Sequence, residues 1–202
     1  MRTDPNALAT FDAVVAAIAA RAPDRAAVIV DAGCGSGQLL QRLADAGFRD
    51  LVGLAYEAPE IAGAALLRGI DLGVAGWAGR VGRQADLLVA TDVIEHLENP
   101  LLFLRESGLL VRPGGWLVLT FPNVHNLRSI IGYALSGRPS GFFGPNLSPK
   151  PLFDQHIWMP NRHVVEFFLQ QAGFTGPDWR HIHGRGRLFA QTAMVVARRA
   201  GA

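Results

Sequence analysis

The sequence predicts an α/β domain: a doubly wound, mostly parallel sheet that closes on a C-terminal antiparallel hairpin and carries a lid insertion. Three observations predict it. Short apolar runs alternate with stretches of helical periodicity through the first half of the chain, the pattern of strand–helix–strand units. A glycine-rich segment, VIVDAGCGSGQLL at 28–40, joins one such run to the helix pattern after it. Two strand-like runs around a turn bearing Gly184 and Gly186 close the chain.

In chain order, residues 6–21 read as an amphipathic helix, with Phe11, Val14, Val15 and Ile18 at helical spacing and Pro23 as a stop. Residues 27–31 read as a buried strand and 38–46 as a helix with Leu39, Leu40 and Leu43 on one side, capped by Gly47. Residues 51–55 form a second strand, followed by a helical stretch over 59–67 that turns Ile61, Ala65 and Leu66 inward. The candidate for a third strand is 72–77, LGVAGW, whose two glycines weaken it. ADLLVA supplies a strand at 86–90. Leu101, Leu102, Leu104 and Leu109 then fit a helix ending near Pro113, and residues 116–121 the next strand after a Pro113-Gly114-Gly115 turn.

From 124 to 160 the pattern breaks into a short helix and then SGRPSGFFGPNLSPKPLFDQHIWMP, where Phe142, Phe143, Phe153 and Trp158 favour a lid over disorder. A helix over 164–172, stopped by Gly173, precedes strands at 179–183 and 190–197. The expectation is one domain over 1–202, with an N-terminal helix in 1–24 and a lid or acceptor insertion at about 125–160.

Composition excludes several classes. Half of the 202 residues are hydrophobic and 18% are charged, which suits a packed core rather than a disordered chain. The formal charge is +2, and Arg180, Arg185, Arg187, Arg198 and Arg199 read as a solvated hairpin and chain end, so no nucleic-acid partner is expected. Cys34 is the sole cysteine, which excludes an internal disulfide and a thiolate metal cluster and fits a reducing compartment. Residues 8–20 are interrupted by Asp12 and lack a cleavage site, and no run reaches the roughly 18 apolar residues of a membrane span. A cytoplasmic protein is expected, of open oligomeric state.

The loop carries the chemistry. Gly33, Gly35 and Gly37 follow a strand, where ligands of open parallel sheets bind, and glycines let the backbone approach a ligand and adopt positive φ. Their spacing is GxGxG rather than the GxGxxG of dinucleotide sites, and the GK[ST] of a phosphate loop is absent. Asp31, at the strand end, would repel a phosphate and attract an ammonium, so the electrostatics favour a cationic, phosphate-free cofactor. A nicotinamide dehydrogenase conflicts with both features. The bland alternative is a tight strand-to-helix turn with no ligand; Cys34 is a small filler, with no basic partner to make it a nucleophile.

VIVDAGCGSGQ, followed in order by TDVIEHLENP, LVRPGGWLVLTFPN and QQAGF, resembles the class I S-adenosylmethionine-dependent methyltransferases over about residues 25–198. The EHLENP and PGG segments are most similar to ubiquinone-type O-methyltransferases and methionine-biosynthesis methyltransferase-like proteins. The resemblance implies a Rossmann-like fold. It further implies S-adenosylmethionine along Gly33, Cys34, Gly35 and Gly37, with Asp31 near its amino-acid portion and Thr91 and Asp92 lining it.

The family's second strand usually ends in an acid that takes both ribose hydroxyls, a task suited to a carboxylate. That position holds Ala55; Glu57, two residues on, either reaches back or is a solvated acid. The acid that commonly follows the third strand and contacts the adenine amino group is missing from VAGWAGRVG, where Trp77 either stacks on adenine or is a core aromatic.

Methyl transfer asks chiefly for alignment, and an oxygen acceptor also needs a general base. The candidates are His96 and His156, the latter beside Asp154; each is alternatively a positioning or packing residue. Asp92, Glu95 and His96, at i, i+3 and i+4, resemble a metal set of the ubiquinone-type enzymes, but the metal-free reading is preferred. The expected function is methyl transfer to a small-molecule acceptor, oxygen before nitrogen. The alternative is a methyltransferase-fold binding subunit with weak or lost turnover, motivated by Ala55 and the missing acid.

Overall fold

The computed structural model describes residues 5–22, 24–139, 142 and 155–201. The candidate positions Pro23, Phe143, Phe153 and Asp154 lie outside them.

Among the described residues, seven strands form one sheet: β1 (Val28–Ala32), β2 (Asp50–Leu54), β3 (Ala64–Leu67), β4 (Ala85–Thr91), β5 (Val111–Pro122), β6 (Phe174–Ile182) and β7 (Thr192–Arg199). Their order is β3-β2-β1-β4-β5-β7-β6. The first five pair in parallel, and β7 inserts antiparallel between β5 and β6. The predicted doubly wound sheet and C-terminal hairpin are both present.

The helices among the described residues are α1 (Pro5–Arg21), α2 (Gln38–Asp45), α3 (Pro100–Leu110), α4 (Leu127–Ser136), α5 (Arg162–Gln171) and the single turn α6 (Gly186–Phe189). Period-2 alternation splits the strand side chains between two cores. Ile29, Leu51, Leu87, Val89 and Val118 pack with Val14 and Ile18 of α1 and Leu39, Leu40 and Leu43 of α2. Val30, Val52, Leu88, Leu117 and Leu119 face Phe103 and Leu104 of α3 and Val165 and Leu169 of α5.

Two expectations are corrected. The helix over 59–67 is instead a turn followed by β3, and the weak strand at 72–77 is a turn leading to a single 3-10 turn over 78–81. AALL is too short for periodicity to separate strand from helix, and the choice falls to pairing: Leu51–Leu54 of β2 offers four partners, Leu51↔Ala64 through Leu54↔Leu67. Gly63, at φ +79, breaks any helix running into it. Trp77 is buried and stacks on Phe103 with ring centroids 5.5 Å apart, so its core reading holds and adenine stacking is withdrawn.

Candidate cofactor cleft

At the carboxyl ends of β1, β2 and β4 the chain opens a cleft of about 960 Å³. One wall is the glycine loop. The amides of Gly33 and Cys34 both donate to Leu54 O, at 2.8 and 3.1 Å, and Gly37 N donates to Cys34 O at 2.8 Å, pinning the loop to the end of β2. Gly33, Gly35 and Gly37 have φ of +82, +49 and +79. A Cβ on Gly37 would stand 2.2 Å from Ile61 Cδ1, whereas one on Gly35 meets only Gly33 O, at 3.9 Å. Gly37 is therefore required by packing, and Gly35 leaves open space on the cleft side.

Asp31 lies beneath this wall rather than on it. Its side chain is 1% exposed, Oδ1 has no hydrogen-bond partner, and burial pushes the carboxyl up to about 7. Cys34 is buried with its sulfur against Gly53, and burial, reinforced by the charge of Asp31, raises the thiol to about 11. That holds it as the filler expected.

The opposite wall comes from the β2–β3 turn. Ala55 N donates to Leu67 O, Ile70 N to Ala55 O and Gly69 N to Tyr56 O, folding 69–72 back over 55–57. This places Asp71 on the same cleft as Glu57, with Ile70 and Leu72 as apolar lining. Asp71 Oδ1 accepts from Gly73 N at 2.8 Å. An acid therefore does follow the third strand. The sequence reading missed it because it placed that strand about eight residues too late; the signal was Asp71 in RGIDLG, directly after AALL.

The floor is the turn after β4. Asp92 takes a left-handed φ of 52, its amide donates to Thr120 O at 3.0 Å, and the Thr120 hydroxyl donates to Asp92 Oδ1 at 3.0 Å. Its side chain opens on the cleft, yet loss of solvent between the cleft walls is the main effect holding its carboxyl above the ordinary value; the Thr120 hydrogen bond opposes it. Thr91 sits one residue back, paired with Thr120 across the sheet. His96 reaches the cleft from a 3-10 turn, Ile94–His96, and its Nδ1 donates to Gln155 O at 3.0 Å. Ile157 N and Trp158 N both donate to Glu95 O, so the segment 155–158 is clipped to this turn. His156 packs edge-on against His96, centroids 4.8 Å apart, and against Phe142 at 5.1 Å.

The cleft thus gathers Gly33, Gly35, Glu57, Asp92 and His96 and adds Asp71; Asp31, Cys34, Gly37, Thr91 and His156 stand behind it. The alternative metal set is regrouped. Among the described residues, Glu95, His96 and His156 bring one ligand atom each within 4.8 Å of one another, and Asp92 is not in that set. Glu95 is 0% exposed, neither carboxyl oxygen has a partner, and burial, with the charge of Asp92, raises its carboxyl well above the usual range.

The cleft residues fit a cationic nucleoside-like cofactor: the orphaned Asp31 oxygen beneath the loop, the open space at Gly35, two acids for hydroxyl or amino donors, and apolar sides. Comparison with known proteins agrees. The chain is 32% identical over 129 residues to a ubiquinone biosynthesis O-methyltransferase of Bordetella avium, covering 56% of this chain and 52% of that protein. A Caulobacter vibrioides protein of the same name is 35% identical over 124 residues, covering 54% and 45%. The chain spans about half the length of these curated relatives. The fold is that of magnesium protoporphyrin IX methyltransferase from Synechocystis PCC 6803, solved with bound SAH, at TM-score 0.67 and 20% identity, covering 95% of this chain and 82% of that one. It is also that of an S-adenosylmethionine-dependent methyltransferase from Mesorhizobium loti, at TM-score 0.64 and 17% identity, covering 94% and 100%. The family described as methyltransferase domain matches residues 6–176, a span holding every wall of the cleft, and the chain belongs to that family, with the class I S-adenosylmethionine-dependent methyltransferase fold.

Proposed function

We propose that the chain moves a methyl group from S-adenosylmethionine to a small-molecule acceptor, at oxygen before nitrogen, as a single domain whose insertion at about 125–160 forms the acceptor side. The observation that carries this reading is His96. Its Nδ1–H is spent on Gln155 O, which leaves Nε2 with a lone pair on a ring that lines the cleft.

The cofactor, when bound, supplies an electrophilic methyl on a good leaving group. Every other task falls to side chains of this chain. Glu57 and Asp71 accept hydrogen bonds from hydroxyl and amino donors, and Ile70 and Leu72 flank a flat apolar ring. Asp31 offers negative charge beneath the loop, and Thr91 and Asp92 border the ligand. His96 Nε2 takes the acceptor's proton, with His156 as the second candidate base. Two acids on the cleft, Glu57 and Asp71, support cofactor binding despite Ala55, and the binding-subunit alternative is not favoured.

The reading is metal-free, because Glu95 is sealed from the cleft and an ion would need an entry path to it. A cytoplasmic setting suits the single buried thiol; among the described residues no helix is long and apolar enough to cross a membrane. Titration with S-adenosylhomocysteine and a labelled-methyl acceptor screen, with and without EDTA, test the proposal. Failure to bind at millimolar concentration refutes it, and loss of transfer in EDTA refutes the metal-free part.

A further inference from the structure

Beyond the cleft, the far end of β5 borders a small cavity of about 20 Å³ with an unusual set of charges. His125 follows β5, Arg162 opens α5, His181 lies near the end of β6 and Arg187 is on α6; all four line it, over a floor that includes Phe121 and Trp179. His163 of α5 adds to the positive field at His125. The acid in contact is Glu166, already engaged: it accepts from Arg162 Nε at 2.8 Å and from Trp179 Nε1 at 2.9 Å. Among the described residues, the side chains of His125, His181 and Arg187 have no hydrogen-bond or ion-pair partner. Burial, and then the neighbouring cations, hold both His125 and His181 below their ordinary values.

Like charges converging on a concave site cost free energy that an anion recovers. The backbone is built to keep them there. Asn123, 3% exposed, donates its side-chain amide to Arg187 O at 2.7 Å and Ala190 O at 2.8 Å, tying α6 to the end of β5. A cavity of this volume admits the oxygens of one carboxylate or phosphate rather than a whole molecule. The three imidazoles do not gather as metal ligands, since the set that does so among the described residues is Glu95, His96 and His156.

Asn123 also borders a second, larger groove of about 670 Å³ walled by Leu127 and Ile131 of α4 and Leu188 and Phe189 of α6. The buried Asn123 side chain is the wall the two spaces share, so a ligand reaching from the groove past it to the cavity would carry an apolar body and an acidic end. Distance to the cofactor cleft suits an acceptor: Thr120 pairs with Thr91, and Asn123 lies three residues beyond it, about 10 Å of extended chain.

We propose that the His125–Arg162–His181–Arg187 cavity binds an oxyanion, and that the methyl acceptor is an amphiphile carrying that oxyanion. The second half rests on the methyl-transfer reading; the first does not. The test is calorimetric titration of the full chain with monomeric decanoate, decanol and inorganic phosphate, alongside S-adenosylhomocysteine. Decanoate binds tighter than decanol or phosphate by about tenfold or more, the scale of one charge-assisted hydrogen bond. Arg187→Gln and His125→Gln each remove that advantage and leave S-adenosylhomocysteine binding unchanged. In NMR titrations decanoate raises the midpoints of His125 and His181, which a purely structural role would not do.

Equal affinity for decanoate and decanol, or undiminished decanoate binding in both variants, overturns the oxyanion site. Binding only to phosphatidylglycerol vesicles, with none to monomeric decanoate, overturns it in favour of a membrane surface. Decanoate binding with no S-adenosylhomocysteine binding upholds the cavity and sinks the acceptor half. With both bound, a free acid that is methylated no better than its methyl ester also sinks the acceptor half.

Discussion

His96 Nδ1 donates to the carbonyl oxygen of Gln155 at 3.0 Å, joining the turn after β4 to the segment 155–158. A carbonyl only accepts, so the bond selects one tautomer and leaves Nε2 as the basic nitrogen. His96→Gln is expected to lower the methyl-transfer rate by about 10²–10⁴-fold, the range for losing a general base, with S-adenosylhomocysteine affinity little changed. Single-turnover transfer and a parallel binding titration separate the two effects. An unchanged rate removes His96 from proton transfer.

The two acids of the cleft predict a shared binding role. Asp71→Asn and Glu57→Gln are each expected to weaken S-adenosylhomocysteine by about 1.5–3 kcal/mol, the worth of a hydrogen bond to a charged group. Calorimetry measures it. If Glu57→Gln is silent and Asp71→Asn is not, Glu57 is the solvated acid that its sequence position also allowed.

Gly35 and Gly37 separate binding from folding. Gly37→Ala adds a Cβ at 2.2 Å from Ile61 Cδ1 at φ +79 and is expected to cost about 1–3 kcal/mol of stability, seen as a lower melting temperature. Gly35→Ala meets nothing nearer than 3.9 Å and costs about 1 kcal/mol for its left-handed backbone, yet Gly35 lines the cleft, so the added methyl takes room there from the proposed cofactor. Its loss of cofactor affinity exceeds its loss of stability. The opposite ranking would show that the loop has no ligand to meet.

Asp31 predicts a pH dependence. Burial lifts its carboxyl from the ordinary carboxylate range, near 3.8, to about 7, so the folded state holds its proton more tightly. Stability from this group is complete below about pH 4 and declines as pH rises to about 7. The ligand-free protein should melt lower at pH 8 than at pH 5 on this account, and Asp31→Asn should flatten that slope, stabilise the free protein at pH 8 and weaken cofactor binding. Melting curves of both proteins across that range check it; parallel slopes would remove Asp31 from the account.

Some of this was legible because its cause is local. The glycines of 33–37 announce a turn that side chains obstruct, and runs such as ADLLVA and WLVLTF announce strands flanked by helix patterns. The β6–β7 pair follows from two strand-like runs around Gly184 and Gly186. AALL resisted for the opposite reason. Four apolar residues carry no period of their own, and the hydrogen bonds that make them β3 belong to β2. Asp71 was lost with the strand, because an acid counts as the acid after β3 only once β3 is in place.

From its residue order alone the chain specifies a doubly wound sheet and a glycine loop of GxGxG spacing after Asp31, and it offers His96 and His156 as candidates for proton transfer. Folding settles which of these groups meet. The parallel pairing of β3 carries Asp71 to the side of Glu57, burial converts Asp31 and Cys34 from cleft residues to supports beneath it, and the clip of 155–158 onto Glu95 brings His156 against His96. Each is a contact between residues distant in the chain, created by sheet hydrogen bonds and core packing that no local pattern encodes.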